Sequence, residues 1–266
     1  MGIGGLLVVL LCAALEAQTI RWLPVPSGWS DAVPYGLTPD GQVVVGIARD
    51  SYRRPRAVMW TASGMLDLGG AIDNRSHAFG ASADGTVVVG GTGFSSYSVE
   101  NRYRQAFRWT PTDGMRLLGT LGGLDSTALD VSADGGVVVG MAYTRQGQRH
   151  AFRWTPQTGM QDLGSLSISA GSEALGVSAN GSVVVGTTAT PTGSWEAFRW
   201  TPETGMMRLG SLGGSFGEAT AVSADGRVAV GRSQNARGVY RAFRWTPTRV
   251  SVTWGTLVAN AVKPTA

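Results

Sequence analysis

The 266-residue chain has one cysteine, Cys12, two histidines, His77 and His150, and one lysine, Lys263. A single thiol excludes an internal disulfide. Two distant imidazoles without cysteine give no metal-ligand spacing, so no metal site is expected. No Gly-rich run leads into Lys-Ser or Lys-Thr, which excludes a P-loop, and no cofactor is expected. The longest apolar run, Ile3 to Leu15, has thirteen residues. That is short of the ~20 needed to cross a bilayer as a helix. Charged residues make up only 15% of the chain, while 43% is hydrophobic, enough for a proper core and too much for a disordered protein.

The short apolar run is followed by small residues at Ala13, Ala14 and Ala17. It is predicted to be a signal peptide covering residues 1–17, which implies an extracellular or periplasmic protein. Leu11 stands before Cys12, where a lipid-anchor signal wants a small residue, so lipidation is not expected. The domain that follows is placed at residues 18–257, with a C-terminal tail at 258–266. Without bridges, such an exported domain must be held by its core alone.

What the chain has in excess is glycine, 39 residues, and one repeated pattern. Trp-Thr stands at Trp60, Trp109, Trp154, Trp200 and Trp245, with spacings of 49, 45, 46 and 45. An Asp-Gly or Asn-Gly pair begins at Asp40, Asp84, Asp134, Asn180 and Asp225, with spacings of 44, 50, 46 and 45. Two markers with one period establish a repeat. In the third copy Ala128 to Ser132 reads as a strand, and Asp134-Gly135 as a hairpin turn in which both positions tolerate φ > 0. Val137 to Gly140 reads as a second strand, apolar on both faces and so covered on both. Its β-branched residues favour a pleated surface. Ala151 to Thr155 is a third strand, and Met160 to Leu163, after the turn Pro156 to Gly159, a fourth. Four strands in about 45 residues is the size of a propeller blade. The expected fold is all-β, a five-bladed β-propeller of four-stranded antiparallel blades. Both Thr19 to Leu23 and Val250 to Trp254 read as terminal strands, one more than a minimal ring requires.

The cadence Val-Ser-Ala-Asp-Gly, Val-Val-Val-Gly, Phe-Arg-Trp-Thr, Thr-Gly-Met resembles the WD-repeat propeller. Trp-Thr replaces that family's Trp-Asp, and its Gly-His is missing, so its buried polar network does not carry over. The chain more closely resembles the extracellular HAF repeat family, through His150-Ala151-Phe152, Gln105-Ala106-Phe107 and Glu196-Ala197-Phe198. The resemblance spans residues 20–257. It implies export and repeat architecture, and no chemistry.

Repeated residues are read as structural. The five Trp are core positions, and Gly46, Gly90, Gly140, Gly186 and Gly231 are expected to end strands. Arg108, Arg153, Arg199 and Arg244 are expected to be half-buried and hydrogen-bonded between blades. Function is then expected where the copies differ, in the connections from second to third strand. These hold eleven of the 21 arginines and five of the six tyrosines, against the acids Asp50, Glu100 and Glu196. The candidate ligand-binding residues are Tyr52, Arg53, Arg54, Tyr97, Arg102, Tyr103, Arg104, Tyr143, Arg145, Trp195, Arg237 and Tyr240. Bidentate guanidinium and stacking contacts suit a glycan or another polyanion, with no nucleic acid expected; the bland alternative is a solvated rim. The leading expectation is a non-enzymatic binding or surface-structural module. The alternative is a glycan-active hydrolase using carboxylates at the channel mouth, near Ser30, Asp31, His77, Asp125, Glu173 and Glu218.

Overall fold

The computed structural model describes residues 20–93, 104–167, 171–247 and 249–253. The predicted signal peptide, residues 1–17, and the predicted tail, 258–266, lie outside the described residues, as do Tyr97, Arg102 and Tyr103.

The chain forms antiparallel meanders of four strands. The first unit is β1 (Ser30–Leu37), β2 (Val44–Arg49), β3 (Pro55–Thr61) and β4 (Gly64–Asp67). The second is β5 (Ser76–Ala81), β6 (Val88–Thr92), β7 (Gln105–Thr110) and β8 (Gly114–Leu117). The third is β9 (Gly122–Val131), β10 (Val138–Thr144), β11 (Arg149–Thr155) and β12 (Gly159–Asp162). Then come β13 (Ser172–Val177), β14 (Val184–Ala189), β15 (Trp195–Thr201) and β16 (Gly205–Arg208). Last are β17 (Gly213–Val222), β18 (Ala229–Asn235), β19 (Tyr240–Thr246) and β20 (Arg249–Thr253). The last two meanders form one eight-stranded sheet, joined through a parallel pairing of Trp195 with Phe216. No helix occurs among the described residues. The first strands β1, β5, β9, β13 and β17 lie each against the next, so they form the inner side of the array.

β20 supplies the fourth strand of the last meander from its own repeat. The described part of the other candidate, Ile20 to Leu23, is not a strand, and Ile20 and Trp22 stand almost fully exposed. The surplus strand is thus resolved in favour of the C-terminal one.

The apolar second strands of the middle three units are covered on both faces: Val88, Val89, Val138, Val139, Val184 and Val185 are fully buried, whereas Val230 of the last unit is 41% exposed. Clusters form between units. Val45, Ala57 and Met59 of the first meet Ala78, Val88, Phe107 and Trp109 of the second. Trp60, Trp109 and Trp200 are buried, and Trp154 and Trp245 partly so, as their shared register predicts.

Two local expectations are corrected. The repeated Asp does not adopt φ > 0; only the glycine after it does, as at Gly85 (φ +68°). The Asp84 carboxylate instead accepts from Ser82 Oγ at 2.6 Å and from the Thr86 N–H at 3.0 Å. These bonds hold the carboxyl below its usual pKa, and Asp40, Asp134 and Asp225 repeat the arrangement.

The glycines 46, 90, 140, 186 and 231 do not end strands. They lie inside β2, β6, β10, β14 and β18, each opposite a bulge in the first strand. At Gly140 a Cβ would stand 2.0 Å from the Thr127 carbonyl oxygen, and at Gly186 1.9 Å from that of Glu173. The inner strand presses on its neighbour there, and only glycine leaves the room.

Candidate functional site: the hairpin rim

The hairpins from second to third strand emerge at one end of the meanders, beside the starts of the first strands. Gly122 pairs with Thr144 and Gly213 with Asn235, and the Arg104 N–H donates to Asp125 Oδ1 at 2.8 Å. Short turns close the hairpins. The Asp50 carboxylate accepts from the N–H groups of Tyr52 and Arg54, and Asn235 Oδ1 from those of Arg237 and Val239. Turn chemistry therefore aims the side chains outward.

The rim is less basic than its composition suggests, because many of its arginines are ion-paired. Arg54 meets Asp50 at 2.8 Å, Arg49 meets Asp31 at 3.6 Å, Arg149 meets Glu173 at 3.6 Å, and Arg232 meets Glu218 at 2.7 Å. Sequence reasoning counted acids only within the hairpins. The partners Asp31, Glu173 and Glu218 come from the inner strands, which the fold brings alongside. Arg53, Arg145 and Arg237 form no ion pair among the described residues. Arg53 takes a left-handed backbone (φ 60°) at the tip of its hairpin.

Several arginines stack on rings. The Arg54 guanidinium lies 4.7 Å from the Tyr52 ring centre, Arg149 5.6 Å from Trp195, and Arg232 4.9 Å from Tyr240. Phe216 packs edge-on against Tyr240 with ring centres 5.8 Å apart. Because Trp195 pairs with Phe216, one continuous patch runs from Arg149 through Trp195, Phe216 and Arg232 to Tyr240. Tyr143 and Arg145 line a separate cleft of about 420 Å³ with Asp125, Leu124 and the backbone of Gly122 and Gly123.

In three units the residue before the third-strand alanine is tied to the fourth strand. His150 Nδ1 bonds Asp162 at 2.9 Å, Glu196 bonds Arg208 through two contacts at 2.8 and 2.9 Å, and Arg56 meets Asp67 at 2.8 Å. In these three units the residue and its fourth-strand partner differ together, His with Asp, Glu with Arg and Arg with Asp.

The inner-strand register sets level with one another a narrower set than the expected Ser30, Asp31, His77, Asp125, Glu173 and Glu218. One residue beyond each strand glycine, the paired positions are Val33, His77, Thr127, Glu173 and Glu218. Asp31 and Asp125 are not among them, since Asp125 caps the Arg104 backbone. Next along each first strand the bulges carry Tyr35, Phe79, Leu129, Leu175 and Thr220, and the Tyr35 and Phe79 rings lie 5.3 Å apart. Burial pushes the Glu173 carboxyl upward, and the negative charge of Glu218 reinforces this while Arg149 opposes it. Burial, with Arg49 and Arg104 nearby, lowers His77 to about 4. Deeper on the same strands, burial lifts Asp130 to about 6 although it accepts the N–H groups of Val131 and Val177, each at 2.9 Å. Among the described residues no group of three or more His, Cys, Asp or Glu could hold a metal ion.

The chain resembles solved propeller structures. TolB from Acinetobacter baumannii matches with a TM-score of 0.56 at 14% identity, over 82% of this chain and 52% of that one. The β-propeller domain of the Trilobed protease from Pyrococcus furiosus, described as having an open velcro topology, matches with a TM-score of 0.55 at 10% identity, over 88% of this chain and 72% of that one. A puromycin-hydrolyzing peptidase of Mycobacterium tuberculosis matches with a TM-score of 0.56 at 16% identity, over 86% of this chain and 38% of that one. The fold is of β-propeller type. The chain spans about half the length of the Acinetobacter TolB and less of the peptidase. No family model matches it, and no curated protein matches it in sequence. At such identities the likeness concerns the fold alone.

Proposed function

We propose that the five meanders are five blades of an exported, non-enzymatic binding or surface-structural module, and that its hairpin rim takes a carbohydrate or other anionic polymer. The observation that carries this reading is the set of guanidinium-backed rings: Tyr52 with Arg54, Trp195 with Arg149, and Tyr240 with Arg232. A ring held flat by a cation on one face offers the other face to a sugar ring. Arg53, Arg145 and Arg237 are the cations left to meet an anion. The His-Ala-Phe-like tripeptides and the apolar N-terminal run support export.

A binding screen over glycans, cell-wall polymers and polyanions at two salt concentrations tests the proposal. Binding that weakens with salt and falls at least tenfold in Arg53→Ala/Arg145→Ala/Arg237→Ala supports an anionic ligand. Binding that instead depends on Trp195→Ala/Tyr240→Ala supports a neutral glycan. If both variants bind like the wild type, the rim is a solvated surface and the reading fails.

One observation favours the hydrolase alternative. Burial raises the Glu173 carboxyl although Arg149 pairs with it, and the nearby Glu218 reinforces the shift, as a general acid beside a second carboxylate would require. Turnover on a polysaccharide panel that disappears in Glu173→Gln and in Glu218→Gln would displace the binding-module reading.

A further inference from the structure

The third and fifth units share one construction at the rim and differ in what it holds. In both, a Gly-Gly pair opens the first strand and runs flush under the hairpin between second and third strands. Gly122 pairs with Thr144 and Gly213 with Asn235. A Cβ on Gly123 would stand 2.5 Å from the Thr144 carbonyl oxygen, and one on Gly214 2.7 Å from that of Asn235. Only glycine permits this approach, which brings the two residues after the pair alongside the hairpin.

In the fifth unit those two residues are Ser215 and Phe216, and the protein fills the space itself. Phe216 packs edge-on against Tyr240, the Arg232 guanidinium lies 5.9 Å from its ring centre, and Ser215 Oγ donates to Gln234 Oε1 at 3.3 Å. In the third unit the register sets Leu124 and Asp125 in their place, Tyr143 in the place of Gln234 and Arg145 in that of Ala236. These four line a cleft of about 420 Å³, within the size range of small-ligand sites.

Asp125 Oδ1 accepts the Arg104 N–H at 2.8 Å, which fixes the carboxyl. Asp125 Oδ2, the Tyr143 hydroxyl and the Arg145 guanidinium have no hydrogen bond or ion pair among the described residues. Elsewhere on the rim an inner-strand acid meets an arginine, Asp31 with Arg49, Glu173 with Arg149 and Glu218 with Arg232. Here an acid and an arginine line one cleft and do not meet. Leu124 stands 64% exposed beside them.

A ligand for this cleft must bring a hydrogen-bond donor to a carboxylate, acceptors to a guanidinium and an apolar face to Leu124 and the Tyr143 ring. At this place a polyanion meets repulsion from Asp125. A sugar ring answers all three demands, because each hydroxyl both donates and accepts while the ring C–H groups form an apolar face. The opposite charges of Asp125 and Arg145 offset each other, so the ligand needs no net charge. We propose that the cleft at Asp125 binds one neutral pyranose unit. Asp125 Oδ2 accepts a hydroxyl proton, Arg145 donates to hydroxyl oxygens, and Leu124 with Tyr143 receives the C–H face. The proposal rests on the reading of the rim as a carbohydrate-binding surface and assigns neutral sugar to one place on it.

The test titrates the full chain with the methyl pyranosides of glucose, galactose, mannose and N-acetylglucosamine, and with glucuronate and free alanine as charged comparators. Binding is followed by calorimetry and by saturation-transfer NMR. Tyr143→Gln and Arg145→Ala install the residues that the fifth unit carries at the same places, and Asp125→Asn keeps the Oδ1 acceptor. Unchanged urea midpoints check that a loss of binding is not a loss of fold. At least one neutral pyranoside is expected to bind, with Asp125→Asn and Arg145→Ala each raising its Kd at least tenfold. A pyranoside bound equally by wild type and both variants would overturn the proposal. Tighter binding of glucuronate or of alanine than of any neutral sugar would also overturn it, in favour of an anion or a zwitterion site. Polymers are titrated beside the pyranosides. Polymer binding without pyranoside binding overturns the cleft and leaves the rim reading standing, whereas the absence of both overturns the two together.

Discussion

Arg153 on β11 reaches out of its own meander and donates Nε–H to the carbonyl of Gly181, 3.2 Å away in the next unit's turn. The guanidinium is half-buried, and burial lowers its pKa without changing its charge. Arg108 makes the same bond to Gly135. Arg199 departs from the pattern: its buried Nε has no hydrogen-bond partner among the described residues, and its guanidinium lies 5.9 Å from the Trp245 ring centre. Arg153→Ala removes a charged donor to a backbone acceptor, and is expected to cost about 1.5–3 kcal/mol. Thermal unfolding should show Arg153→Ala and Arg108→Ala less stable than wild type. Arg199→Ala should lose less, since no bond is broken there.

The strand glycines give a sharper contrast. Gly140→Ala would place a methyl 2.0 Å from the Thr127 carbonyl oxygen, so the bulge must move. A loss of roughly 3 kcal/mol or more is expected, at the upper end for overpacking. Gly147→Ala meets nothing within 4 Å and carries only the strain of φ +79°, about 1–2 kcal/mol. Denaturant midpoints of the two variants decide it. Equal losses would mean that the close approach is not what demands glycine.

Asp130 predicts a pH dependence. Its folded pKa, about 6, lies above the ordinary aspartate value of 3.8. The folded state therefore holds its proton more tightly, and stability falls as pH rises from about 4 to 6. The effect is up to about 3 kcal/mol. Asp130→Asn should remove that contribution in urea titrations run across the window.

His77 acts in the opposite sense. Its folded pKa of about 4 lies below the ordinary histidine value of 6.5. The neutral ring is favoured by the fold, so stability is lost as pH falls from about 6.5 to 4. Wild type should show a partial cancellation in this window. His77→Gln should uncover the Asp130 slope, and Asp130→Asn the His77 slope.

The sequence by itself determined the repeat, the four strands of each copy and the buried register of the five Trp. These rest on local chemistry, namely β-branched runs, turn carboxylates and period-two alternation, which act within a few residues. It also marked the arginines between Phe and Trp as lying between units, and Arg108 and Arg153 do. It could not show why glycine recurs inside the second strand, because the group that excludes a side chain there is a carbonyl of the neighbouring strand. Nor could it show that Arg149 and Arg232 are neutralised, since Glu173 and Glu218 lie 24 and 14 residues away and meet them only when the inner strands pack beside the hairpins. Tertiary structure alone decided which inner-strand residues stand level with one another, because a bulge in each first strand shifts the register against the second.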